Sequence, residues 1–173
     1  MKTVAFYTDP DLAESKVQTL RRAFATNMTW LDNTYPLVMI HTLEDETVPL
    51  VYVSGTDSVD LRPDDSVDSY CFFEFYGYSP GDANEMGIYN LGVVFWVDLE
   101  KIDTTKTQDY TWNLISHTLK VMEANECYNM SVTTDNIFDR YTFDLDKQQI
   151  MRRYSGYKIT FDMYGINTFC DYS

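Results

Sequence analysis

Histidine is almost missing from this chain, and most of the chemistry open to a small protein goes with it. Only His41 and His117 occur in 173 residues. Nucleophilic and acid–base catalysis usually draw on a histidine held beside a nucleophile. His117 falls among polar neighbours on a predicted helix and His41 closes a strand run, so neither has an obvious partner. Cysteine is scarce too: Cys71, Cys127 and Cys170 are odd in number and lack C-x-x-C spacing. That arithmetic argues against a disulfide framework or a thiolate metal site, and fits reduced thiols in a protein made in the cytoplasm. There is no Gly-rich phosphate loop, no H-E-x-x-H and no G-x-S-x-G. Long apolar runs are missing as well. The longest, Leu91 to Val97, has the length of a strand and not the ~20 residues of a membrane helix. Met1 to Tyr7 lacks the apolar stretch of a secretory signal. The expectation is a soluble, non-enzymatic protein with no cofactor, metal or membrane partner.

Basic residues are thin where it matters. The net charge is −14, yet from Ala23 to Glu100 there are 14 acids against one base, Arg62. The rest of the chain holds 13 acids and 12 bases, close to balance. Neutralising phosphates takes clustered Lys and Arg, so tight nucleic-acid binding is not expected. Acids concentrate at Glu44, Asp45, Glu46, Asp57, Asp60, Asp64, Asp65 and Asp68. Three readings are open for this stretch. It can serve solubility alone, form a wall that DNA slides past without sticking, or imitate DNA for a basic partner. Neither the Asp57 to Asp68 cluster nor the Asp144–Asp146 pair follows a calcium-loop pattern.

Aromatics, in contrast, are plentiful, at 16% with 14 Tyr and 10 Phe. A polar tip on an apolar body suits half-buried sheet cores and partner contacts alike. Asp9 as N-cap and Pro10 at the first helical position open a helix whose apolar face is Ala13, Val17, Leu20 and Phe24, ending near Asn27. Arg21 and Arg22 suit its negative end. Leu37 to Ile40 and Val48 to Val53 read as a hairpin with a polar tip at Glu44-Asp45-Glu46, and Pro49 implies that the second run is an edge strand or starts late. Ser54 to Ser69 reads as a long acidic loop. Cys71 to Tyr76 is a strand, and Leu91 to Val97 is a strand covered on both faces. A second helix runs from about Lys106 to Ala124, with Trp112, Ile115, Leu119 and Met122 as its buried stripe. Tyr128 to Thr134 is ambiguous; Phe138 to Leu145 and Tyr157 to Met163 alternate as strands. The order implies a single α+β domain over residues 1–173, an antiparallel sheet with two packed amphipathic helices.

This element order, with Val51-Tyr52-Val53-Ser54-Gly55-Thr56, Val93 to Leu99, and Asn136 to Asp139 through Tyr157 to Phe161, resembles the tail-terminator and tail-completion proteins of tailed phages, in the versions found in phages of gut Bacteroidetes. Ser54 to Ser69 and Asp144 to Arg153 depart from that pattern. The resemblance implies a virion structural protein, a homo-oligomeric ring in the neck as head–tail connector or tail terminator. Its partners would be further copies of itself and neighbouring neck, portal or tail proteins, with DNA passing through the hole without specific binding. The acids from Glu44 to Asp68 are then the candidate channel-facing or partner-facing residues. The alternative is a small acidic DNA mimic that inhibits a host nucleic-acid enzyme.

Overall fold

The computed structural model describes residues 12–54, 57–63, 69–81, 86–103, 105–106, 108–142 and 154–165. It is an α+β fold built around a mixed five-stranded sheet of order β1-β5-β6-β8-β7. These strands are Asn33–Leu37, Tyr70–Ser79, Gly87–Asp98, Tyr154–Gly165 and Tyr128–Thr133 respectively. A second sheet of three strands, β2 (Met39–Leu43), β3 (Glu46–Ser54) and β4 (Asp57–Asp60), has the order β2-β3-β4. Helices α1 (Leu12–Asn27), α2 (Leu99–Ile102) and α3 (Thr111–Glu123) complete the described elements, with one 3₁₀ turn at Gln108–Tyr110.

Strand β6 is the spine. It is buried from Leu91 to Asp98 and pairs with β5 on one side and β8 on the other. Its alternate side chains feed two cores, as a strand with period two must when both faces are covered. Leu91, Val93, Phe95 and Val97 meet the helices, where Phe95 stacks on Tyr157 at 4.7 Å and Phe24 of α1 lies 5.5 Å away. Val94 and Trp96 face the opposite core, with Tyr35, Tyr70, Phe72 and Val51 of the small sheet. The helices therefore cover one face of the large sheet. The small sheet and the turn at 136–141 cover part of the other.

Several expectations need correction. The large sheet is not wholly antiparallel, because β1 runs parallel to β5. The stretch from Ser54 to Ser69 is not all loop: Asp57–Asp60 pairs with β3, and Leu61 is buried behind it. Pro49 lies in the middle strand of its sheet, not at an edge. Its carbonyl accepts from the Leu61 N–H at 2.8 Å, and a proline has no N–H to return. The β3–β4 ladder stops one residue earlier, at the Leu50–Asp60 pair. Residues 137–140 form turns and 141–142 are irregular, not the strand expected from Phe138 onward, whose last residues, 143–145, lie outside the described residues. Tyr128 to Thr133, in turn, is a strand.

Helix α3 is also rotated from its expected face. Thr111, Leu114, Ile115, Thr118, Val121 and Met122 are buried, while Trp112 is 65% exposed and Leu119 only half-buried. The buried threonines are satisfied. Thr118 donates to the Leu114 carbonyl and shares a 2.8 Å bond with the Tyr157 hydroxyl. Arg21 likewise does not serve the helix end: it is 1% exposed and makes two bonds to the Thr34 carbonyl, at 2.9 and 3.1 Å. The expected cap at Asp9 and Pro10 lies outside the described residues, as do Asp144, Asp146 and Cys170.

Candidate functional site

The small sheet gathers five of the eight acids singled out from the sequence. Glu44 and Asp45 form the exposed turn between β2 and β3, Glu46 opens β3, and Asp57 and Asp60 sit on β4. Asp64, Asp65 and Asp68 lie outside the described residues. Glu44 has φ 46°, a left-handed conformation that glycine or asparagine takes at least cost. Arg62 meets Glu46 at 2.7 Å and Asp60 at 4.0 Å, which leaves the hairpin tip and the start of β4 as the acidic ends of this sheet.

Behind that sheet the large sheet holds a buried charge pair that the sequence analysis missed. Lys158 Nζ lies 3.0 Å from Glu74 Oε2 and 2.6 Å from Asp139 Oδ1. Tyr76 and Tyr141 donate their hydroxyls to the two Glu74 oxygens at 2.5 and 2.8 Å. Burial works against the Lys158 ammonium, but the bonds to Asp139 and Tyr76 and the Glu74 charge outweigh it and hold its pKa above the ordinary value. Burial and the same carboxylate push the Tyr76 hydroxyl up to about 12 and raise Tyr141 as well. Every group in this cluster is paired in its charged or donor form, which suits a clamp holding the 136–141 turn to the sheet better than a proton-transfer site. A lone Glu within Phe72-Phe73-Glu74-Phe75 and a lone Lys within Tyr157-Lys158-Ile159 were the available signals.

The four sheet edges are treated unequally. The outer edge of β1 is sealed by α1: Arg21 covers the Thr34 carbonyl, the Leu37 N–H donates to Glu14 Oε2 at 3.3 Å, and Pro36 has no N–H to expose. Burial pushes the Glu14 carboxyl up to about 7, against the pull of Leu37 and Arg21. Thr142 closes β3 beyond the reach of β4, exchanging bonds with Thr47 at 3.0 and 2.7 Å. Strand β4 is four residues long and carries Asp57 and Asp60, two devices that blunt an edge. Strands β7 and β2 have none of these protections among the described residues. Among the described residues nothing bonds to the outer backbone of either one. Met39 and Ile40 on β2 are 50% and 46% exposed, and Tyr128 on β7 packs edge-on against Tyr164 at 5.2 Å with both half exposed. Strand β2 follows β1 after a single residue, and β7 is the opposite edge of the large sheet. The two open edges thus belong to different sheets, one beside β3 and one beside β8.

No known protein family, curated protein or solved structure matches this chain.

A cleft of about 400 Å³ opens where the start of α3 meets the start of β8. Trp96, Phe138 and Tyr154 form its aromatic floor, with Trp112, Asp135 and Asn136 at the rim. Gly156, also in the lining, lets the Ile137 side chain approach: a Cβ there would come within 2.4 Å of Ile137 Cδ1. His41 and His117, half-buried on β2 and α3, do not line it. Among the described residues no group of three or more His, Cys, Asp or Glu is placed to hold a metal ion, and no helix is long and apolar enough to cross a membrane.

Proposed function

We propose that this chain is a structural protein that assembles with copies of itself into a closed ring, of the kind that forms the neck of a tailed phage as head–tail connector or tail terminator. The observation that carries the reading is the contrast between edges. Strand β1 is sealed by Glu14, Arg21 and Pro36, whereas among the described residues nothing bonds to the outer edges of β7 and β2, which belong to different sheets. An open edge presents a row of backbone donors and acceptors spaced for another strand. Pairing β7 of one copy with β2 of the next is a head-to-tail contact, which generates a ring when its rotation closes.

The acids fit the same arrangement. With β2 in the interface, the Glu44–Asp45 tip at one end of β3 and Asp57 at the other lie beyond the paired edge, and either end can face a hole. An acidic lining lets a polyanion pass by repulsion, where a basic one would hold it. The same acids also favour a second reading, an acidic mimic of DNA that occupies the basic cleft of a host nucleic-acid enzyme.

Sedimentation and negative-stain electron microscopy of the purified chain over rising concentration separate the two. The ring reading expects particles of one uniform multiple of the chain mass with a central hole. A monomer at every concentration that binds a basic enzyme would overturn it in favour of the mimic.

A further inference from the structure

We propose that the cleft between α3 and β8 is a binding site for a single neutral sugar ring. The site does not depend on the assembly reading. Its volume, about 400 Å³, lies at the small end of the range of ~300–1,000 Å³ for small-molecule sites. The lining decides the ligand class. Among the described residues the lining contains no Lys, Arg or His, and its one carboxylate is Asp135, so phosphorylated and carboxylated ligands find no counter-charge there. Nor is it a lipid slot, because Thr111, Thr134, Asn136 and Ser155 interrupt the aromatic surface.

A sugar ring has an apolar C–H face and a belt of hydroxyls that both donate and accept. The cleft supplies a match for each. Trp112 stands 65% exposed at the lip, an indole plane without a core to pack on. Trp96 and Tyr154 stack at 5.0 Å on the floor. Asp135 and Asn136 are exposed beside them to take hydroxyl protons. The buried Thr111 and Ser155 hydroxyls bond each other at 2.7 Å, an arrangement that uses one of their two protons and leaves the other to donate. Trp96 is 3% exposed, and its Nε1–H meets no acceptor among the described residues. A buried donor left unpaired costs free energy that an oxygen in the cleft would recover.

The three tryptophans provide the test. Trp96 and Trp112 line the cleft, while Trp30 packs on the helix side against Phe95, 6.2 Å away. In ¹H–¹⁵N NMR spectra, titration with the methyl glycosides of glucose, galactose, mannose and N-acetylglucosamine should move the Trp96 and Trp112 indole signals saturably with at least one sugar. Trp30 should stay fixed. Trp112→Ala should weaken that binding about tenfold or more while the Trp96 signal keeps its folded position. If none of the four sugars moves the two signals saturably, the proposal fails. It fails equally if tetramethylammonium alone does so and Asp135→Asn abolishes the effect, since the cleft is then a cation site.

Discussion

Lys158 Nζ sits 3.0 Å from Glu74 Oε2 with the lysine side chain 6% exposed and the glutamate fully enclosed. Removing one partner of such a pair strands the other charge, which is far costlier than never having built the pair. Lys158→Met should therefore destabilise the fold by about 3–5 kcal/mol in urea unfolding. The Glu74→Gln, Lys158→Met double variant should recover a large part of that loss. A single variant within about 1 kcal/mol of wild type would mean the carboxylate is satisfied by Tyr76 and Tyr141 alone.

Glu14 gives the edge seal a pH dependence. Its carboxyl is raised from 4.5 to about 7, first by burial, so the folded chain holds a proton there that the unfolded chain has lost. The contribution to stability is complete below about 4.5 and disappears as pH rises through about 7. For a half-buried group the difference amounts to roughly 1–2 kcal/mol after solvent screening. Comparing urea midpoints of wild type and Glu14→Gln at pH 4.5 and 8 checks this. The wild type should lose more between the two pH values than the variant does; equal losses would contradict it.

Helix α3 was legible as a helix but not in its rotation. The expected stripe of Trp112, Ile115, Leu119 and Met122 and the observed one share only Ile115 and Met122. Tryptophan looks like core and threonine like surface until hydrogen bonds are counted, and Thr111 and Thr118 are buried because Ser155, Tyr157 and the Leu114 carbonyl satisfy them. Leu114→Ala should cost about 2–5 kcal/mol through lost burial and a cavity. Trp112→Ala should stay within about 0.5 kcal/mol of wild type. Thermal melts that reverse this order would place the helix the other way round.

Local pattern carried α1 and β6 because each is long and periodic enough to stand without its neighbours. Strand β4 was hidden because Asp57-Ser58-Val59-Asp60 has no apolar alternation of its own and exists by pairing with β3. The parallel β1–β5 contact is similarly a property of distant segments. At the candidate site the acids were visible as composition. The sealing of one edge by Glu14 and Arg21 was not, since Arg21 looked like an ordinary helix-end charge and the partner carbonyl at Thr34 lies on another element. The cleft was invisible for the same reason, as its floor and rim come from β6, α3, β8 and the 134–138 turn.

Reversing the acidic ends of the small sheet tests their role. Glu44, Asp45 and Asp57 are exposed, so their joint conversion to Lys should change stability by no more than about 1 kcal/mol. The variant should gain DNA binding that weakens with added salt, within a screening length of ~8–10 Å. A fold that retains stability yet gains no affinity for DNA would remove these residues from the channel.

The central claim is that copies join through two different open edges. The direct measurement is disulfide capture between copies, with Ser131→Cys placed on the β7 edge and Thr42→Cys on the β2 edge, both exposed. Mixing the two variants under mild oxidation should yield cross-linked pairs of one of each kind, and neither variant alone should link efficiently. Links that form within the Ser131→Cys variant alone, and not in the mixture, would show β7 meeting β7 in a two-fold dimer and contradict a head-to-tail ring.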